Sequence, residues 1–165
     1  MRLRRRMSLA VVCLCRTVFA SAADPATQLG LAESDLLAGP QVPEHLRRVA
    51  RPDRLASGAR GLWRVARTDW GGLQVQQTFY LAQGKVQRIE LLLLPDAAAG
   101  GAGPGVFERV VATLQTALGP ALLAGDVASW VAGGVDVAAY RTASAQGLQV
   151  RVVYKTRELR DASAL

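Results

Sequence analysis

From Gly61 onward, apolar and polar residues alternate with a period of two. Leu62–Thr68 opens the pattern. Leu73, Val75, Gln77, Phe79 and Leu81 then share one parity, against Gln74, Gln76, Thr78 and Tyr80 on the other. Side chains of a strand point alternately to its two faces, so this pattern predicts strands buried on one side. The turn Ala82-Gln83-Gly84-Lys85 interrupts it, and Val86–Leu94 resumes it with Ile89, Leu91 and Leu93 on one face. Asp69-Trp70-Gly71-Gly72 reads as a second turn. Three strands on two tight connections predict an antiparallel meander.

The period then changes. Phe107, Val110, Val111, Leu114, Ala117 and Leu118 form one apolar stripe at helical spacing, which predicts an amphipathic helix over Val106–Leu118. Gly119-Pro120 ends it, with glycine at the cap and a proline that cannot continue it. Ser129–Thr142 reads as one strand with a bulge or bend at Gly133-Gly134. Leu148, Val150, Val152 and Tyr154 alternate in a partner strand across the short connection Ala143–Gly147. Near the start, Glu33–Ala38 and Pro43–Arg51 read as short helices separated by Gly39-Pro40 and stopped by Pro52. The arginines Arg47, Arg48, Arg51 and Arg54 then read as the solvated face of a helix rather than a patch for an acidic partner. The expected fold is α+β: an antiparallel sheet of about five strands in the order βββ-α-ββ, with the amphipathic helix packed on one face. Its expected boundaries are a leader at 1–22, an N-terminal extension with short helices at 23–60, and the α+β domain at 61–165.

Composition changes this picture in one place. The chain has 165 residues, half of them hydrophobic, and a formal net charge of +7. Such a charge invites a nucleic-acid or membrane-surface function. Five of the 20 basic residues (Arg2, Arg4, Arg5, Arg6 and Arg16) lie in the first 23 residues, where no acid occurs. Without that stretch, 15 basic residues face 13 acidic ones. The stretch has the three parts of a secretory signal: a basic start (MRLRRRM), a short apolar run (Ser8–Cys15) and the small-residue site Ala20-Ser21-Ala22. Cleavage is expected between Ala22 and Ala23. Both cysteines, Cys13 and Cys15, fall within the leader and follow Val12 and Leu14 rather than a small residue, so neither disulfide nor lipid anchor is expected. No later segment reaches the length of a transmembrane helix. The expectation is a periplasmic or secreted protein with no nucleic-acid partner.

Residue chemistry points away from catalysis. The strand, the glycines of 100–105 and the helix mimic the order of a phosphate-binding unit. They contain neither a Gly-Lys-Ser/Thr sequence nor G-x-G-x-x-G spacing. His45 is the single histidine; a triad would need it as the base, but no G-x-S-x-G accompanies it, and an ordinary zinc site uses several His or Cys, so it reads as a surface histidine. Glu90 and Asp136 stand within apolar strands and are the pair to watch for acid–base work, but solvent-side positions on an antiparallel sheet are the simpler reading of them. No catalytic, metal or cofactor site is expected.

The aromatics remain. Trp63 and Trp130 are expected in the core. Trp70, in a turn where burial is hard to arrange, is the leading contact residue, joined by Tyr80 and Tyr140. The helix ending in Leu118-Gly119-Pro120, Trp130 and the hairpin closing at Tyr154 form a unit. Trp63, Thr78-Phe79-Tyr80 and Gly84-Lys85-Val86 partly repeat it. This pattern resembles small periplasmic proteins of the BamE-like or β-lactamase-inhibitor-like type. The resemblance implies a non-enzymatic module that binds another envelope or secreted protein, as adaptor, inhibitor or immunity-like factor. The alternative is a periplasmic carrier of a small apolar ligand or lipid.

Overall fold

The computed structural model describes residues 24–39, 42–95, 105–144 and 147–157. The elements are α1 (Pro25–Gln28), α2 (Glu33–Ala38), β1 (Leu46–Arg48), β2 (Arg60–Trp70), β3 (Leu73–Ala82) and β4 (Lys85–Leu93). They continue with α3 (Val106–Leu118), β5 (Leu122–Ala124), β6 (Val127–Ala132), β7 (Val135–Ser144) and β8 (Gly147–Thr156). All eight strands form one antiparallel sheet in the order β1-β2-β3-β4-β8-β7-β6-β5. The chain steps inward from one edge to β4. It then crosses to the far edge by way of α3 and steps inward again until β8 pairs with β4.

The expected sheet of about five strands in the order βββ-α-ββ is therefore wrong. The fold is dominated by an eight-stranded sheet with three short helices among the described residues. Three local misreadings account for the difference. Residues 43–51 are not a helix: His45 takes a left-handed φ of 61°, and Leu46–Arg48 then pairs with β2. Backbone pairing and burial of Leu46 against the core override the helix signal of Pro43. The expected strand over 129–142 is two strands, because Gly133 (φ 58°) makes a tight hairpin turn rather than a bend. Leu122–Ala124, with no expected structure, is the edge strand β5. At the other turn, Asp69 and Trp70 complete β2 and only Gly71-Gly72 turns the chain. The helices at Glu33–Ala38 and Val106–Leu118 match their patterns.

The core lies on one face of the sheet. Leu36 of α2 and Phe107, Val110 and Leu114 of α3 pack there with Val65, Phe79, Ile89, Val137 and Val152 in one cluster. Strand register draws one row across six strands: Trp63, Phe79, Ile89, Tyr154, Val137 and Trp130. The two tryptophans are the ends of this row, and each ties the sheet to the helix before it. Trp63 Nε1 donates to Glu33 Oε1 at 2.7 Å, and Trp130 Nε1 donates to the Gly119 carbonyl at 3.0 Å. A buried amide pair, Gln77 to Gln28 at 3.0 Å, fastens α1 in the same way. Residues 23–60 thus bring α1, α2 and β1 into the same body. Each half of the sheet is a helical segment followed by four antiparallel strands, and the halves meet at β4 and β8. Among the described residues no helix is long and apolar enough to cross a membrane.

Candidate interaction surface

The helices cover one face, so the other face of the sheet is where function has room. Register again defines its rows. One runs Arg64, Thr78, Glu90, Val153, Ala138 and Ser129; the next runs Gly61, Tyr80, Arg88, Lys155, Asp136 and Val131. Two cross-strand Tyr–Arg pairs stand on this face in corresponding places, on the third and fourth strands of each half. Arg88 lies over the Tyr80 ring at 5.8 Å and Arg151 over the Tyr140 ring at 5.5 Å. Such pairs add electrostatic attraction between cation and ring face to the packing of the side chains.

The halves differ in what covers these pairs. The β1–β2 loop is long and curls onto the open face. Leu55 N–H donates to the Ala59 carbonyl and Gly61 N–H to the Asp53 carbonyl. Leu55, Ala56 and Ala59 form one side of a groove whose other side is Arg88, Asp136 and Lys155. Gly61 lets the Tyr80 ring lie against the backbone, since a Cβ there would stand 3.1 Å from its Cε1 atom. Tyr80 is only 5% exposed. Burial, with the charges of Glu90 and Asp53, raises its pKa above the ordinary value. In the second half the corresponding connection is the tight Gly125-Asp126 turn, and among the described residues no loop folds over Tyr140. It borders a shallow open groove with Pro120, Leu122, Val131, Asp136 and Lys155. Leu122 is 74% exposed, Leu123 61% and Val131 60%. These are the large apolar residues that the described body leaves most open to water.

Trp70 is elsewhere. It is half-buried on the helix side, packed against the core, in a pocket with Asp24, Thr113, Leu118 and Tyr154. Burial and, after it, the Asp24 carboxylate raise the pKa of the Tyr154 phenol beside it, and the Trp70 side chain acts against that rise. The three residues singled out from sequence therefore do not make one site. Tyr140 borders the open groove, Tyr80 is closed off, and Trp70 lies on the opposite face. The expected cleavage residues Ala22 and Ala23 fall outside the described residues, as does most of the glycine-rich segment, at 96–104.

The two acids Glu90 and Asp136 of the open face are each engaged by cations. Glu90 pairs with Arg88 and, at 3.8 Å, with Arg151; Asp136 pairs with Lys155 at 3.7 Å and Arg157 at 3.9 Å. Glu90 and Asp136 stand two strands and one row apart, on the order of 10 Å by strand spacing. Each is held by its own cations, and the two do not share a reacting position. His45 is exposed in the turn before β1. Among the described residues no three potential metal ligands converge. Sequence reading missed Leu122, Leu123 and Val131. Their signal was a Leu-Leu pair between a Gly-Pro stop and a Gly-Asp turn, which marks a short edge hairpin. No protein family, curated protein or solved structure matches the chain.

Proposed function

We propose that the chain is an exported, non-catalytic protein-binding module of the bacterial envelope, and that its contact surface is the groove beside Tyr140. The observation that carries this is the uncovered apolar pair Leu122 and Val131 beside an aromatic–arginine pair, on a face that no helix covers among the described residues, with the exposed Leu123 adjoining it at the edge. Exposed apolar residues gathered at one place, rimmed by charge, mark association surfaces. The likeness to BamE-like and β-lactamase-inhibitor-like proteins belongs to this proposal. So does export: Pro25 and Gln28 are already buried, so cleavage between Ala22 and Ala23 would remove the leader without cutting into the core. A carrier of a small apolar ligand has less support, because the side chains between helices and sheet pack as one continuous cluster.

The test uses the exported protein in a periplasmic extract. Photo-crosslinking from position 131 should give a discrete protein adduct, and crosslinking from Asp35 on α2 should not. Leu122→Arg with Val131→Arg should abolish the adduct formed from position 140. Equal labelling from both faces, or none from the groove, rejects the surface. An N-terminus at Met1 in the extracted protein rejects export.

A further inference from the structure

We propose that the opposite edge of the sheet, β1, is a second docking site, one that takes an acidic, extended segment of a partner protein. The observation is an unusual pairing of like charges. Between positions 47 and 67 the chain carries seven arginines (Arg47, Arg48, Arg51, Arg54, Arg60, Arg64 and Arg67), with Asp53 as the single acid. Among the described residues none of the seven forms an ion pair. Register sets them face to face: Arg47 of β1 lies directly opposite Arg64 of β2, and Arg54 directly opposite Arg60. Like charges directly opposed across strands are destabilising. Among the described residues the one hydrogen bond these four side chains make is from Arg64 Nε to the neutral Thr78 hydroxyl at 3.3 Å.

Protection of a sheet edge does not require this. A single charge on an edge strand deters unwanted pairing, and stacking two guanidiniums adds cost without adding cover. The far edge, β5, carries no charge at all. A carboxylate beside each arginine pair would turn the repulsion into attraction, through strong charge-assisted hydrogen bonds. Arg48 stands on the other face of β1, its guanidinium 6.0 Å from the Trp63 ring centroid, so Arg47 is the β1 arginine that shares a face with Arg64. Among the described residues β1 is also the outermost strand, paired with β2 alone. An extended peptide can satisfy its outer backbone groups and place a row of acidic side chains on the face of Arg47 and Arg64 at once. A bilayer surface offers the charge but no strand, so the geometry favours a protein segment. This surface is separate from the Tyr140 groove, and it can be real whether or not that groove binds.

The probe is a labelled peptide of alternating Glu and Val, titrated against the full chain by fluorescence anisotropy. A Lys/Val peptide, an N-methylated Glu/Val peptide and phosphatidylglycerol vesicles are the comparisons. The Glu/Val peptide should bind saturably and weaken with salt, and the other three should bind far less. Arg47→Gln should weaken it by about tenfold, the ratio corresponding to one lost charge-assisted hydrogen bond. The same substitution should raise the melting temperature, because it removes a repulsion; that rise also shows that the variant folds. Leu122→Arg should leave peptide binding unchanged. Unaltered affinity in Arg47→Gln overturns the proposal, and with increased self-association it makes the arginines edge guards only. Equal binding of the N-methylated peptide removes the strand pairing. Arg47-dependent binding of vesicles without binding of the peptide makes the edge a lipid surface instead.

Discussion

Trp63 and Trp130 stand at the two ends of one row across the sheet, and each reaches back to a helix with a single indole hydrogen bond. Trp130→Phe keeps most of the buried ring and removes the donor to the Gly119 carbonyl. A loss of about 1 kcal/mol is expected in urea denaturation, the ordinary net value of one hydrogen bond. An unchanged midpoint would mean the bond contributes nothing to holding the end of α3. The tyrosines give a second prediction. Tyr80 and Tyr154 both have raised pKa values, mainly through burial. In the unfolded chain they ionise near the ordinary value of 10.0; in the folded protein they stay neutral above it. Their contribution is therefore complete below that value and is lost as pH rises past it. Phenolate absorbance in an alkaline titration should show these two residues ionising together with loss of circular dichroism. A fully folded protein with all three tyrosines ionised would contradict this. At this scale the sequence was readable where side-chain parity decides burial, as for Trp63 and Trp130. It was not readable for Trp70, whose burial depends on α3 and Tyr154 arriving from the other half of the chain.

The elements divide by length. α3 carries a stripe long enough to show its period, and the ten-residue β3 alternates over its full length, so both are legible. β1 and β5 have three residues each, too few for any period, and each exists because a longer neighbour offers it backbone partners. Both edges of the sheet were therefore invisible in the sequence, and both proposed surfaces lie at those edges. The two edges are built oppositely. β1 presents Arg47 and Arg48, whereas β5 presents Leu122 and Leu123 with no charge to discourage pairing. An uncharged apolar edge is prone to associate. Leu123→Lys is expected to lower self-association of the purified protein in sedimentation velocity at high concentration, with little change in melting temperature because the residue is already exposed. If wild type and variant sediment alike, β5 is too short to act as an edge.

For the molecule as a whole, the question is whether the two halves of the sheet are one cooperative unit. Each half has its own helical segment, its own tryptophan anchor and its own Tyr–Arg pair, so each has the parts of a small folding unit. What joins them is the seam between β4 and β8, where Ile89 meets Tyr154 and Leu91 meets Val152. Neither half is closed without the other. The first would expose the edge of β4, the second the edge of β8, and the single core cluster runs through both. Leu91 is fully buried at the seam, between Gln77 of the first half and Val152 of the second. Leu91→Ala should cost about 3 kcal/mol, as for other buried leucines cut to alanine. The informative readout is how that loss is distributed. With Trp63 and Trp70 replaced by Phe, fluorescence reports only Trp130 in the second half; with Trp70 and Trp130 replaced, it reports only Trp63 in the first. Coincident denaturation midpoints in both backgrounds, shifted equally by Leu91→Ala, are expected if the seam makes one unit. Midpoints that separate in the Leu91→Ala background would show two units held together only weakly. The Tyr140 groove would then rest on a half able to open independently of the arginine edge.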